Sequence, residues 1–394
     1  MSEYDYRSLD LQVKKYMDEI WEFSLYIHDN PELGYEEFKA CEAQCNILKE
    51  MGFQVQKGVE ELKTAYIATY GEGKPVIGIA SEYDALEGLG HACGHNLICA
   101  SSILTAIAVK NYLKDHEGTV KVIGTPAEEG GGGKIKLLNK GVFDDVEALF
   151  MMHPTSDKTR LAGECMSSSH YKLVFKGESA HAASHPDKGR NALSAAILFL
   201  NSIGLWRQHF TADMRISSII EDGGIQTGMI PETATIIGDV RSFTLDKLNL
   251  LKKIIMDSAE GCSKSMDCSV DITINDGYLG RVPNKTLSDV CKDELKYLNE
   301  PLLEGMPPDF GGEDIGNVSY KVPICCPYVT IFPDYKISGH TDGFRELAKS
   351  DAGYRCIEVT SIAMSRSIVK LFESQTLLKD ARIELENRLK KMNI

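Results

Sequence analysis

The chain has 394 residues, 43% hydrophobic and 25% charged, with acids outnumbering bases to a net charge of −14. That length supports a large core and two domains, while the acidity argues against a nucleic-acid or anionic-membrane surface. No run of about 18 apolar residues suggests a membrane span. The N-terminus lacks a basic start or an apolar stretch, and the eleven cysteines lack paired spacing apart from adjacent Cys325 and Cys326. Both features predict a cytoplasmic protein with reduced thiols.

Apolar residues in LDLQVKKYMDEIWEFSLYI recur at helical spacing as far as Asn30-Pro31, and YEEFKACEAQCNILKEMGF repeats the pattern up to Gly52. Strands follow in TAYIATYG and PVIGIASEYDA, the second apolar enough to be central. Next comes GLGHACGHNLI, residues 88 to 98, with His91, Cys93 and His95 at alternate positions. An extended backbone would turn all three to one side, and Gly90 and Gly94 favour a tight loop. ICASSILTAIAVKNYL reads as a helix, TVKVIGT as a buried strand running into PAEEGGGGK, and ALFMMHP as a third. This alternation predicts an α/β sheet with its chemistry at the strand ends.

From about residue 168 the rhythm changes. HYKLVFKG is a strand, and ALSAAILFLNSIGLW, interrupted by Ser and Asn, reads as a buried helix. RISSIIE and TATIIGDVRS are strands, Thr244 caps a helix with Leu245, Leu248, Leu251 and Ile255 on one face, and CSVDITI closes the set. The order is β-α-β-β-α-β, as in a ferredoxin-like unit. After further loops, a long helix starts near Asp351. The predicted organisation is a first part at 1–167, an insertion at 168–278, and a second part at 279–394.

Cys93, His95, Glu129, His153 and His340 would form a mixed N, S and O donor set suited to zinc or another divalent transition ion. Glu128 and Glu129 end a buried strand ahead of four glycines, a poor place for a solvated pair. Neighbouring side chains diverge, so one can bind metal while the other faces an attacking water and takes its proton. The glycine run is not a phosphate loop, because that pattern needs Gly at 128 and Ser or Thr at 135, where Glu and Ile stand. No G-x-S-x-G elbow is present.

EYDALEGLGHACGHN, GTPAEEGGGGK, MMHP, GESAHAASHPDKGRNAL and GHTDGF, in that order, resemble the aminoacylase and carboxypeptidase G family of metal-dependent amidohydrolases. Within it they look most similar to the branch that contains p-aminobenzoyl-glutamate hydrolase and β-alanyl-lysine dipeptidase. The resemblance implies a dimetal exopeptidase-like catalytic domain interrupted by a lid that also dimerises. It makes Cys93, His95, Glu129, His153 and His340 the metal ligands, Glu128 the general base, and Asp84 the carboxylate that orients a ligand histidine. It gives His91 no ligand role, and it implies that His181 of the lid reaches across a dimer to stabilise the oxyanion. Two departures stand out: Asn96 replaces an Asp found in many relatives, and Gly228 replaces a substrate-contacting Asn in GGIQTGMIP. Arg241, in DVRS, is a candidate for a substrate carboxylate because a guanidinium matches that shape bidentately.

The expected function is hydrolysis of the amide bond of an N-acyl amino acid, an aminobenzoyl-glutamate-like compound or a short peptide. The expected cofactors are two divalent ions, Zn²⁺ or alternatively Mn²⁺. A homodimer or larger homo-oligomer such as a tetramer is expected, with no nucleic-acid or membrane partner. The alternatives are a hydrolase with Cys93 as nucleophile and an inactive binding protein on the same fold.

Overall fold

Two amphipathic helices, α1 (Arg7–Asp29) and α2 (Phe38–Glu50), open the computed structural model, which describes residues 4–332 and 336–392. A hairpin of β1 (Gln54–Val59) and β2 (Leu62–Glu72) follows, then β3 (Val76–Ser81) and α3 (His95–Leu113). Next are β4 (Gly118–Gly124), α4 (Gly133–Asn139), β5 (Ala148–Phe150), β6 (His153–Thr155) and β7 (Arg160–Leu161). The chain continues through β8 (Ser167–Lys176), α5 (Ala192–Trp206), β9 (Met214–Asp222), β10 (Thr233–Ser242), α6 (Leu245–Ser265) and β11 (Ser269–Asp276). It ends with α7 (Lys285–Tyr297), α8 (Ile315–Val318), β12 (Ile324–Cys325), β13 (Pro327–Thr330), α9 (Asp342–Ala348), α10 (Asp351–Glu373) and α11 (Gln375–Lys391).

These elements form two units. The larger gathers Met1–Glu164, Arg281–Asp309 and Asp314–Ile394, and the smaller Cys165–Gly280 with Phe310–Glu313. In the larger unit a six-stranded sheet runs in the order β1-β2-β4-β3-β5-β12, with β4, β3, β5 and β12 mutually parallel. Every residue of β3 is buried, as expected of a central strand covered on both faces. A second sheet, β6-β13-β7, lies in the same unit. By length and apolar composition α3 is the one helix among the described residues that could cross a membrane. It is instead a core helix, packed against α1 and α10 with nearly all of its residues buried.

The smaller unit has its own hydrophobic core and an antiparallel sheet in the order β11-β8-β10-β9. Its element order is βαββαβ, with Thr244 Oγ1 accepting the Lys247 N–H to cap α6. One expectation fails here. The helix α5 is buried on one face only, through Ala192, Ala195, Ala196, Phe199 and Ile203, and exposes Ile197, Leu198, Leu205 and Trp206. Its Ser and Asn residues interrupt the sequence without marking the wet face.

Candidate metal centre

Parallel pairing sets the site. Ser81 of β3 lies opposite Gly124 of β4, and Ile79 of β3 opposite Phe150 of β5, so the three strands end along one edge. Beyond those ends come Glu82 and Asp84, then Glu128 and Glu129, then His153. This carboxyl edge is where open α/β sheets carry their ligands. The expected extended run through His91, Cys93 and His95 is not what forms. Gly94 takes a left-handed φ of 78° as the N-cap of α3, and His95 is already that helix's first residue. Cys93 and His95 still converge, whereas His91 points elsewhere, its ring 6.4 Å from that of His28.

Cys93, His95, Glu128, Glu129, His153 and His340 come together. Three overlapping sets, Cys93 with His95 and His153, Cys93 with Glu129 and His340, and His95 with Glu128 and Glu129, each hold their ligand atoms within 4.8 Å of one another. Cys93 Sγ is 3.4 Å from His153 Nε2, and His340 Nε2 is 3.3 Å from Glu129 Oε1. His340 is brought in from far along the sequence by its own N–H, which donates to the carbonyl of Ala92 at 2.9 Å.

Backbone and carboxylate acceptors orient the rings. Nδ1–H of His95 donates to the Asp84 carbonyl at 2.8 Å and to Asp84 Oδ1 at 3.1 Å, while Asp84 Oδ2 accepts the Glu129 N–H at 2.9 Å. His153 Nδ1–H donates to the Pro154 carbonyl at 2.8 Å. Both histidines therefore turn Nε2 toward the cluster, the usual way a metal-binding imidazole is held. Nε2 of His95 is fully buried and has no hydrogen-bond partner among the described residues, yet Glu82, Glu129 and Glu128 oxygens stand 3.7, 3.9 and 4.0 Å away. A buried orphan acceptor facing carboxylates is a place for a cation. The nitrogen, sulfur and oxygen donors here fit a transition-metal ion.

The electrostatics agree. Burial opposes a charge on His95, but Cys93 and Asp84 together raise it well above the ordinary histidine value. Burial, reinforced by Glu82 and Asp314, pushes Glu128 well above the carboxylate range. Glu129 moves the other way: burial would raise it, but the bond from His340 and the charge of His95 lower it. Two adjacent glutamates thus differ, one favouring a proton and one favouring the anion. Burial also pushes the Cys93 thiol up to about 12, which argues against an activated nucleophile.

The remaining expected residues belong to the smaller unit. His181 is exposed, and its Nδ1 accepts from the N–H groups of Ala183 and Ser184 at 3.2 and 3.1 Å, leaving Nε2–H as an outward donor. Gly228 accepts the Ala182 N–H at 3.0 Å, and a Cβ built there would meet nothing within 4 Å. Arg241 is half-buried on β10, with Nε donating to Asp239 Oδ1 at 2.7 Å. Sequence reasoning missed Glu82, Lys134 and Asp314, all buried beside Glu128. Lys134 Nζ donates to Glu82 and, at 2.6 Å, to Asp314 Oδ1, whose Oδ2 accepts the Lys134 N–H at 2.9 Å. The only signal in the sequence was an acid, Glu82, directly after an apolar strand.

Paired carboxylates beside buried histidine and cysteine donors, at the strand ends of an α/β sheet, define a metal-dependent hydrolase. The chain belongs to peptidase family M20/M25/M40, whose model matches residues 78–360. It is 31% identical to a p-aminobenzoyl-glutamate hydrolase of Escherichia coli (strain K12) over 316 residues, 75% of this chain and 66% of that one. It is 30% identical to the Xaa-Arg dipeptidase of Homo sapiens over 387 residues, 92% of this chain and 88% of that one. Its fold is shared with the YXEP protein of Bacillus subtilis, a dinuclear metal binding peptidase from the M20 family, at a TM-score of 0.71 and 23% identity over 90% of this chain and 99% of that one.

Proposed function

We propose that this M20 hydrolase cleaves the amide bond of N-acyl amino acids, aminobenzoyl-glutamate-like compounds or short peptides, using two divalent ions, Zn²⁺ or alternatively Mn²⁺. The observation that carries the reading is the buried, unpartnered Nε2 of His95 within 4.0 Å of three carboxylates, in a cluster shared with Cys93, His153 and His340. The names of relatives, a p-aminobenzoyl-glutamate hydrolase, an Xaa-Arg dipeptidase and an N-acetyl-L-cysteine deacetylase, support the substrate class.

Cys93, His95, Glu129, His153 and His340 would hold the ions, with Asp84 orienting His95. Bound there, divalent ions supply Lewis-acid polarisation of the scissile carbonyl and make water acidic near neutral pH. Glu128 takes the proton of the attacking water and returns it to the leaving nitrogen, a task suited to a carboxyl raised toward neutrality. His181 donates Nε2–H to the developing oxyanion in the neighbouring subunit of a homodimer, or of a larger oligomer such as a tetramer. Arg241 meets a substrate carboxylate through the guanidinium edge that Asp239 leaves open. The compartment is the cytoplasm, in keeping with eleven free cysteines.

The test is a panel of N-acyl amino acids, aminobenzoyl-glutamate and dipeptides, assayed after chelation and re-addition of Zn²⁺ or Mn²⁺, with Glu128→Gln alongside. Activity should follow the added metal. Glu128→Gln should keep its metal and lose about 10²–10⁴ in turnover. Loss of metal in Glu128→Gln but not in Glu129→Gln would mean that the two glutamates have exchanged roles.

A further inference from the structure

Glu82 has no part in the ligand set above, yet its carboxylate is among the most confined charges in the molecule. It is 1% exposed, directly after β3. A buried carboxylate needs a partner for each oxygen. Oε1 has one, the ammonium of Lys134, itself fully buried and shared with Asp314. Burial alone would strip that ammonium of its charge, but Asp314 and Glu82 hold it raised. Lys134 also starts α4, and Asp314 anchors its backbone N–H at 2.9 Å, so the mount is stiff in both side chain and main chain.

Oε2 has no hydrogen-bond partner among the described residues. It turns away from Lys134 and faces His95 Nε2 at 3.7 Å, the other buried atom in that position without a partner. Two lone-pair donors do not attract each other. A cation between them removes the conflict. Ligands bound at about 2.0–2.2 Å to one tetrahedral or octahedral ion stand roughly 3–4 Å apart, and the Glu82–His95 separation falls in that interval. Lys134 cannot be that cation for both, since it is committed to Oε1 and Asp314. Its single charge serves two carboxylates, which leaves the Glu82, Glu128 and Glu129 wall short of positive charge.

We infer that Glu82 is a further ligand of the metal centre, binding through Oε2 the ion that His95 binds, with Lys134 and Asp314 as its mount. The inference rests on the reading of the cluster as a metal centre, so its test separates the two. Apoprotein of the full chain is titrated with Zn²⁺ and with Co²⁺ in chelator-buffered solutions, and the visible absorption of the cobalt form is recorded. This is done for wild type, Glu82→Gln and His153→Ala. His153→Ala should lose bound metal, and if it retains the wild-type stoichiometry the metal-centre reading itself fails. Glu82→Gln should bind at least one ion about tenfold or more weakly, with an altered cobalt spectrum that reports a lost oxygen ligand. Wild-type affinity in Glu82→Gln would overturn the inference. Weaker binding with an unchanged cobalt spectrum would also overturn it, because Glu82 would then act only as a distant charge. Should Glu82→Gln fail to fold by circular dichroism, Glu82→Asp keeps the charge and withdraws the oxygen, and the same two readouts decide.

Discussion

Ala127, the residue before Glu128, has a left-handed φ of 55°, a conformation that costs a non-glycine residue on the order of 1–2 kcal/mol. Its N–H donates to Oε1 of Glu37 at 2.8 Å, and Glu37 is completely buried. Burial pushes the Glu37 carboxyl up to about 7 from an ordinary 4.5, despite hydrogen bonds that favour the anion. The folded value lies above the unfolded one, so the stability contributed by the neutral form is complete below about 4.5 and is lost as pH rises through 7. Glu37→Gln, measured with metal saturated, should therefore melt a few degrees above wild type at pH 8 and show no such advantage at pH 5, a difference on the order of 3 kcal/mol or less. An equal shift at both pH values would refute this account. Residues of this kind were not legible in the sequence. Cys93, His95, Glu129, His153 and His340 stand in short dense blocks such as GHACGH and GHTDGF, whereas Glu37 and Lys134 are single polar residues whose burial depends on partners far away in the chain.

At the scale of elements, the junction between the ligand loop and α3 is the tightest. A Cβ at Gly94 would sit 2.6 Å from Cγ of Pro154, on a backbone that already requires φ 78°. Cys93 and His95 flank this glycine, and His153 precedes that proline. Gly94→Ala should therefore lower the melting temperature and weaken metal binding together. Gly88→Ala is the control, because Gly88 has a similar φ of 72° but nothing within 4 Å of its built Cβ. It should lose only the backbone contribution, about 1–2 kcal/mol, and keep wild-type metal affinity. Equal metal loss in both variants would show that backbone strain, not the contact with Pro154, controls the junction. Long periodic elements were readable beforehand: α1, α6 and α10 appear where the apolar spacing put them. The strands β5, β6, β7, β12 and β13, two to four residues each, are too short to display a period. The strand β1, QVQKGV, is a mostly exposed edge whose apolar content hides its role.

For the whole molecule the decisive proposal is that His181 serves the neighbouring subunit. His181→Ala and Glu128→Ala should each be nearly inactive as homodimers, the first by roughly 10²–10³. A refolded mixture of the two should regain activity, since a heterodimer holds one site with an intact Glu128 and a neighbour's His181. Absence of recovery in a mixture shown by mass to contain heterodimers would confine His181 to its own chain or remove it from the reaction. Several motif blocks in a fixed order made the family legible from sequence, because a site assembled from loops far apart leaves its pattern along most of the chain. The buried ion-pair mount of Lys134 left none, being specified by packing alone.

The chain enters its larger unit twice, and that has a consequence for synthesis. The strand β12 that completes the six-stranded sheet, the helix α10 that packs on α3, and His340 all follow the smaller unit in the chain. On the ribosome the smaller unit, with a core of its own, is finished first, while α3 waits without its cover. Roughly 260 residues separate the end of α3 from the end of α10, so at about 5–20 residues per second an apolar helix stays uncovered for some tens of seconds. The nascent chain is thus a client for chaperones during that interval, and a transcript truncated after Gly280 would yield a well-formed insert tethered to an aggregating stub.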